Sequence, residues 1–274
     1  MSYRTLLVLV ADDARLDDRL STARTLAQRF GAHVIGLHVM PLPVVPLGYG
    51  EAAAYVGPEI IEAQRAAAAE TAERLRRRFE TAMAELAPDV EWRAAEGDAA
   101  PVATAQARTA DLVLAPQSDL HGFDLLEPDV AEHLVMGAGV PVMILPRGGW
   151  KADPGRRVLV GWNGSRQASR ALHDALPLLA HAEEVALLAV GEEASESAED
   201  ALAMLGRHGI EVEAEKTAAD GQSIGARLLA RAAERDCDTL VMGAYGHSRL
   251  RELVLGGTTR HVLARAELVV FASS

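Results

Sequence analysis

The chain has 274 residues, 49% hydrophobic and 24% charged, the balance of a globular protein long enough for two cores. Lys and Arg total 27 against 39 Asp and Glu, and the net charge of −12 argues against non-specific binding to nucleic acid or to an anionic membrane. The one cysteine, Cys237, excludes an intrachain disulfide and a cysteine cage for zinc, and the N-terminal apolar run is too short for a signal-peptide core, so a cytoplasmic location is expected.

Leu6 to Val10 is an unbroken apolar run and predicts a buried strand. The polar break Ala11-Asp12-Asp13 follows, then an amphipathic stretch and a second apolar run at Val34 to Val39. Residues 40–59 carry four prolines and three glycines and predict a surface loop. Leu75, Phe79, Met83 and Leu86 share one helical face, and the charged run from Arg74 to Glu80 reads as a solvated face. Further apolar runs lie within Asp111 to Phe123 and at Val140 to Leu145. The Pro- and Gly-rich stretch from Pro146 to Gly155 reads as a linker, with a boundary near Lys151 that separates domains 1–150 and 151–274.

The second half repeats the order of the first. Arg156 to Ser165 (RRVLVGWNGS) matches the opening strand, and Ser165 stands where a helix N-cap belongs. Ala168, Ala171, Leu172, Ala175, Leu176 and Leu179 line one helical face, and Val185 to Val190 is a second strand. Thr239 to Arg251 resembles Asp111 to Phe123, and from there both halves run without a gap to a last apolar run, Leu268 to Phe271 in the second half. Continuous apolar strands alternating with helices predict an α/β fold with parallel sheets covered on both faces. Such sheets bind ligands beyond the carboxyl ends of their strands.

At one such end, Gly243-Ala244-Tyr245-Gly246 is followed after nine residues by Gly256-Gly257-Thr258-Thr259, which opens the last helix. Glycines let backbone amides approach an anion, a helix N-terminus adds free N–H groups, and the threonines add hydroxyls. Arg249, Arg251, Arg260 and His261 lie in or beside the segment. The pattern describes a phosphate cradle but not a Walker A loop, which needs Gly-Lys-Ser/Thr; its plainer reading is a tight strand exit and a helix cap. At the end of a neighbouring strand, Asn163 could bond a base or ribose, Trp162 could stack on a base or fill the core, and Val190 would form an apolar wall.

Repeat and glycine spacing together resemble the tandem universal stress proteins, whose motif is Gly-x2-Gly-x9-Gly-Ser/Thr. Gly243, Gly246 and Gly256 match its glycines. Gly257 stands at the Ser/Thr position, Thr258 follows, and Thr259 matches a further hydroxyl position. Asn163 replaces the Asp that contacts adenine or ribose, and Val190 matches the apolar residue that meets adenine. The resemblance implies two tandem doubly wound domains, each a five-stranded parallel sheet flanked by helices (adenine nucleotide alpha hydrolase-like). It implies that the halves pair through their last strands as an intramolecular pseudo-dimer, with a homodimer of chains left open, and that ATP binds with Mg²⁺ or Mn²⁺.

In the gap-free match, Gly243, Gly246, Gly256 and Gly257 correspond to Ala115, Ser118, Pro128 and Asp129. Pro128 removes an amide donor, and Asp119, Asp124, Glu127, Asp129 and Glu132 crowd the segment with negative charge. A carboxylate about 4 Å from a phosphate charge costs on the order of 4 kcal/mol at an effective dielectric near 20. One nucleotide per chain is therefore expected, in the second half. The expected function is regulatory: ATP occupancy shown to a protein partner. The alternatives are a slow ATPase, with His247 as base and Arg249, Arg251 or Arg260 stabilising charge, and a scaffold that binds no nucleotide. The nine histidines show no metal spacing, His33 and His38 have surface or core roles, and Cys237 reads as a buried thiol.

Overall fold

A computed structural model describes residues 2–43, 58–87, 89–117, 130–190, 192–217, 223–245 and 257–274. The first half runs β1 (Thr5–Leu9), α1 (Leu16–Phe30), β2 (His33–Met40), α2 (Pro58–Ala82), β3 (Val90–Glu96), α3 (Ala99–Ala107), β4 (Leu112–Pro116), α4 (Val130–Gly137) and β5 (Val142–Leu145). The second repeats it with β6 (Arg157–Trp162), α5 (Arg166–Leu179), β7 (Glu184–Val190), α6 (Glu192–Arg207), β8 (Glu213–Thr217), α7 (Ile224–Glu234), β9 (Thr239–Gly243), α8 (Gly257–Arg265) and β10 (Val269–Ser273). The expected loop at 40–59 is shorter at both ends, because Met40 closes β2 and Pro58 opens α2; residues 44–57 lie outside the described residues. No described helix is long and apolar enough to cross a membrane.

All ten strands form one sheet, in the order β3-β2-β1-β4-β5-β10-β9-β6-β7-β8. Within each half every neighbouring pair is parallel. The two five-stranded sheets join through one antiparallel pair, β5 with β10, in which Met143 faces Phe271. Every residue of β5 and β10 is buried. Left as open edges these apolar strands would invite pairing with another chain, and each covers the other.

Helices cover both faces. On one, Leu16 and Leu20 of α1, Phe79 of α2, Leu172 of α5 and Leu205 of α6 pack on Val8, Val160, Met143 and Phe271. On the other, Ala103 of α3, Leu134 of α4, Leu228 of α7 and Val262 of α8 pack on Leu7, Ile144, Leu159 and Val270. All six apolar positions expected on the inner face of α5 are buried, and the Ser165 hydroxyl accepts from the Ala168 amide at 3.2 Å, the expected N-cap. The charged run on α2 is more than a solvated face. Arg74 pairs with Asp12 at 2.8 Å and Arg78 with Asp17 at 2.8 Å, tying α2 to the turn after β1 and to α1.

The strand register corrects the gap-free match of the halves. Met143 and Phe271 face each other across the pseudo-two-fold axis, so Val142 is the counterpart of Val270. Val142 pairs with Val113 and Val270 with Leu240, which makes Leu114 the counterpart of Val241, Ala115 of Met242, and Pro116 of Gly243. The equivalent bonds Gln117 N to Leu145 O and Ala244 N to Ser273 O continue this register. Farther on, Ala138 bonds Leu134 as Ala266 bonds Val262, which preserves the pairing of Pro128 with Gly256 and Asp129 with Gly257. The first half is thus one residue shorter between β4 and α4, and its residue at the Gly243 position is Pro116 rather than Ala115.

Candidate functional site

In the second half β6 lies between β9 and β7, where the strand order reverses. After β6 the chain passes to α5 on one face of the sheet and after β9 to α8 on the other, which leaves a crevice beyond their carboxyl ends. Gly161, Trp162, Asn163, Val190, Ile224, Leu228, Met242, Gly243 and Thr258 line it. Four of the expected site residues therefore meet in one cleft: Asn163, Val190, Gly243 and Thr258. Gly257 begins α8 beside them, and a Cβ there would meet nothing within 4 Å. Gly246 and Gly256 fall outside the described residues, as do His247, Arg249 and Arg251. Arg260 is exposed on α8.

Gly243 has a steric reason to be glycine. A Cβ on it would stand 2.4 Å from the Ala168 nitrogen and 2.4 Å from the Gln167 carbonyl carbon. Both are backbone atoms at the start of α5, so the strand end and the helix start touch without any side chain between them. The next residues turn sharply. Tyr245 has φ +57°, the left-handed region that a bulky residue seldom adopts, and its amide donates to the Thr259 hydroxyl at 3.3 Å. Thr259 is itself only 4% exposed. Its hydroxyl thus braces the exit of β9, and Thr258 is the threonine that reaches the cleft.

Asn163 is exposed at the end of β6. Its Oδ1 accepts from the Ser165 amide at 3.2 Å and from the Ser165 hydroxyl at 2.7 Å. An Asp would hold the same turn, but Asn also carries two N–H donors where Asp has only acceptors. Trp162 fills the core: it is 8% exposed, packs on the face covered by α5 and α6, and donates from Nε1 to the Ser197 hydroxyl at 3.0 Å.

Sequence reasoning missed Gly161, Ile224, Leu228 and Met242. Gly161 carried a legible signal, because glycine inside an apolar strand marks a close approach; its absent Cβ would stand 3.0 Å from Leu228. At the equivalent place in the first half the register puts Leu9, 92% buried by its 8% exposure and packed on the same face of the sheet. Ala11, Pro116 and Val130 stand where the second half has Asn163, Gly243 and Thr258. The first half thus has an isobutyl group in the crevice and lacks the amide, the close strand exit and the hydroxyl. Of its expected acidic cluster only Glu132, on α4, is among the described residues.

Elsewhere, His38 is 8% exposed with Nδ1 2.8 Å from the Val10 carbonyl, and His33 lies 3.7 Å from Glu91, the core and surface roles expected. Cys237 is half-buried rather than buried, and desolvation pushes its thiol up to about 11, so it stays protonated and unreactive near neutral pH.

These features define an α/β protein of two fused parallel sheets with an open crevice at the switch point of the second half. The model of the universal stress protein family matches residues 2–146 and again residues 155–272, and the chain belongs to that family. It is similar in fold to a universal stress protein from Archaeoglobus fulgidus DSM 4304, at 19% identity and a TM-score of 0.75, over 98% of this chain and 96% of that one. It is also similar to a functionally unknown protein from Pseudomonas aeruginosa PAO1, at 16% identity and a TM-score of 0.60, over 99% and 92% of the two chains. No curated protein matches the chain.

Proposed function

We propose that this universal stress protein binds one ATP per chain in the crevice of its second domain, 151–274, and that occupancy is a regulatory signal read by a protein partner. The observation that carries the reading is the meeting of Asn163, Val190, Gly243 and Thr258 at one switch point, beside the N-terminus of α8. The amides opening α8 and the Thr258 hydroxyl suit phosphate oxygens. Val190, Leu228 and Met242 suit a purine face, and the Asn163 amide suits an acceptor on base or ribose. Among the described lining residues the polar groups are the Asn163 amide and the Thr258 hydroxyl, which suit hydrogen bonding to a ligand. Among the described residues no group of three or more His, Cys, Asp or Glu could hold a metal. Mg²⁺ or Mn²⁺ would therefore be carried mainly by the phosphates and by water, as Mg²⁺ commonly is.

The crevice is shallow, with a volume of about 50 Å³. A nucleotide would lie across the mouth, where Ile224 is 38% exposed, rather than inside a closed cavity. Thr258→Glu tests the reading. A carboxylate in the first turn of a helix favours the dipole by about 0.3–1 kcal/mol, so α8 keeps its fold. The same carboxylate repels a phosphate. ATP affinity should fall at least a hundredfold in calorimetry while the melting temperature holds; unchanged affinity would remove the site from this crevice.

A further inference from the structure

We propose a second anion site, in the first half, for a diphosphate group, free or carried on a small molecule. A groove of about 470 Å³ opens between α1 and α2, lined by Asp17, Ser21, Arg24, Arg77, Arg78 and Thr81. Three guanidiniums and two hydroxyls face one carboxylate there, in a chain whose net charge is −12. Arg24 makes no hydrogen bond or ion pair among the described residues. The other two arginines hold weak partners. Arg77 meets Glu73 at 3.2 Å with side chains 73% and 51% exposed, and Arg78 meets Asp17 at 2.8 Å with Asp17 79% exposed.

Exposed pairs of this kind are weak, because water and salt screen them. A multiply charged phosphoryl group offers guanidinium a bidentate, charge-assisted contact that is roughly twice as strong as a neutral hydrogen bond. A diphosphate carries more negative charge than one carboxylate and can reach Arg24, Arg77 and Arg78 together, so it competes with Glu73 and Asp17 and gives Arg24 a partner. The groove exceeds the size of one phosphate, and its cations come from both helices, which suits two linked phosphoryl groups. It lies on the sheet face covered by α1 and α2, whereas the crevice opens beside α7 and α8 on the opposite face.

Pyrophosphate titrated calorimetrically at low salt is the probe. Binding is expected to weaken as salt rises, to survive Thr258→Glu, and to fall at least tenfold in the double variant Arg24→Gln, Arg77→Gln. A Thr258→Glu protein that binds ADP more tightly than pyrophosphate, and loses this with Arg24→Gln, identifies a carried diphosphate; equal affinities identify the free anion. No binding to the wild-type protein, or binding lost with Thr258→Glu and kept in the double arginine variant, overturns the proposal.

Discussion

At the residue scale, glycine positions divide into those the fold needs and those a ligand would use. The missing Cβ of Gly243 is what lets α5 touch the end of β9. Adding a methyl there forces backbone apart, and overpacking of this kind costs about 1–3 kcal/mol. Gly243→Ala should lose that much stability in a urea titration, and Gly257→Ala, which points into open space, should change it by less than about 0.5 kcal/mol. Equal stability of the two variants would refute the close approach. The turn after β1 is fixed by other means. Arg19, fully buried, donates from Nε to the Leu9 carbonyl at 2.7 Å and from Nη2 to Asp13 at 2.7 Å. In the second half Asn163 and Ser165 fix that turn with short polar side chains. Nothing in the sequence marked Arg19, since an arginine on an amphipathic helix reads as solvated unless a carbonyl and a carboxylate are known to lie beneath it.

At the element scale, the outermost pair of the second half is held by charge. β8 alternates Glu213 and Glu215 toward the last turn of α7, where Arg231 bonds Glu215 at 2.5 and 2.7 Å. Arg235 bonds Glu215 as well, and reaches Glu213 and Glu184 at 2.6 Å each. Hydrogen bonds from Arg231 hold the Glu215 carboxyl below its usual 4.5, and those from Arg235 do the same for Glu213. A carboxyl whose folded value is depressed contributes stability above its unfolded value and loses it as pH falls through the folded one. The melting temperature should therefore drop as pH is lowered below about 4.5, and Glu215→Gln should make the drop shallower. An identical acid profile for wild type and variant would show that this cluster contributes nothing.

Element types were legible because apolar runs and helical faces alternate twice along the chain. Register was not. DLVLAP and TLVMGA are apolar in both alignments that differ by one residue, and one residue moves a side chain to the other face of a sheet. The pairing of Met143 with Phe271, taken with the registers of β4 on β5 and β9 on β10, shows that Pro116, not Ala115, replaces Gly243. The glycine and threonine spacing located the crevice from the β9–α8 side. Its other wall, Ile224 and Leu228, comes from a helix that the glycine motif does not reach.

At the scale of the whole molecule, the halves form one unit. The Tyr3 hydroxyl donates to the Asp174 carbonyl at 2.6 Å, and Gln117 Nε2 donates to the Leu263 carbonyl at 2.8 Å. Arg29 of α1 pairs with Asp153 in the connecting segment, and Trp150 Nε1 donates to the Thr22 hydroxyl at 2.8 Å. With β5 and β10 spent on each other, the outer strands of the sheet are β3 and β8, both of which carry charged residues. The proposed division of labour rests on the strand ends: Leu9 of the first half stands where the second half has Gly161, and Ala11, Pro116 and Val130 stand where it has Asn163, Gly243 and Thr258. Calorimetric titration of the full chain with ATP and Mg²⁺, read for stoichiometry, tests this most directly. One site per chain is the expected result, and two sites, or none, would contradict it.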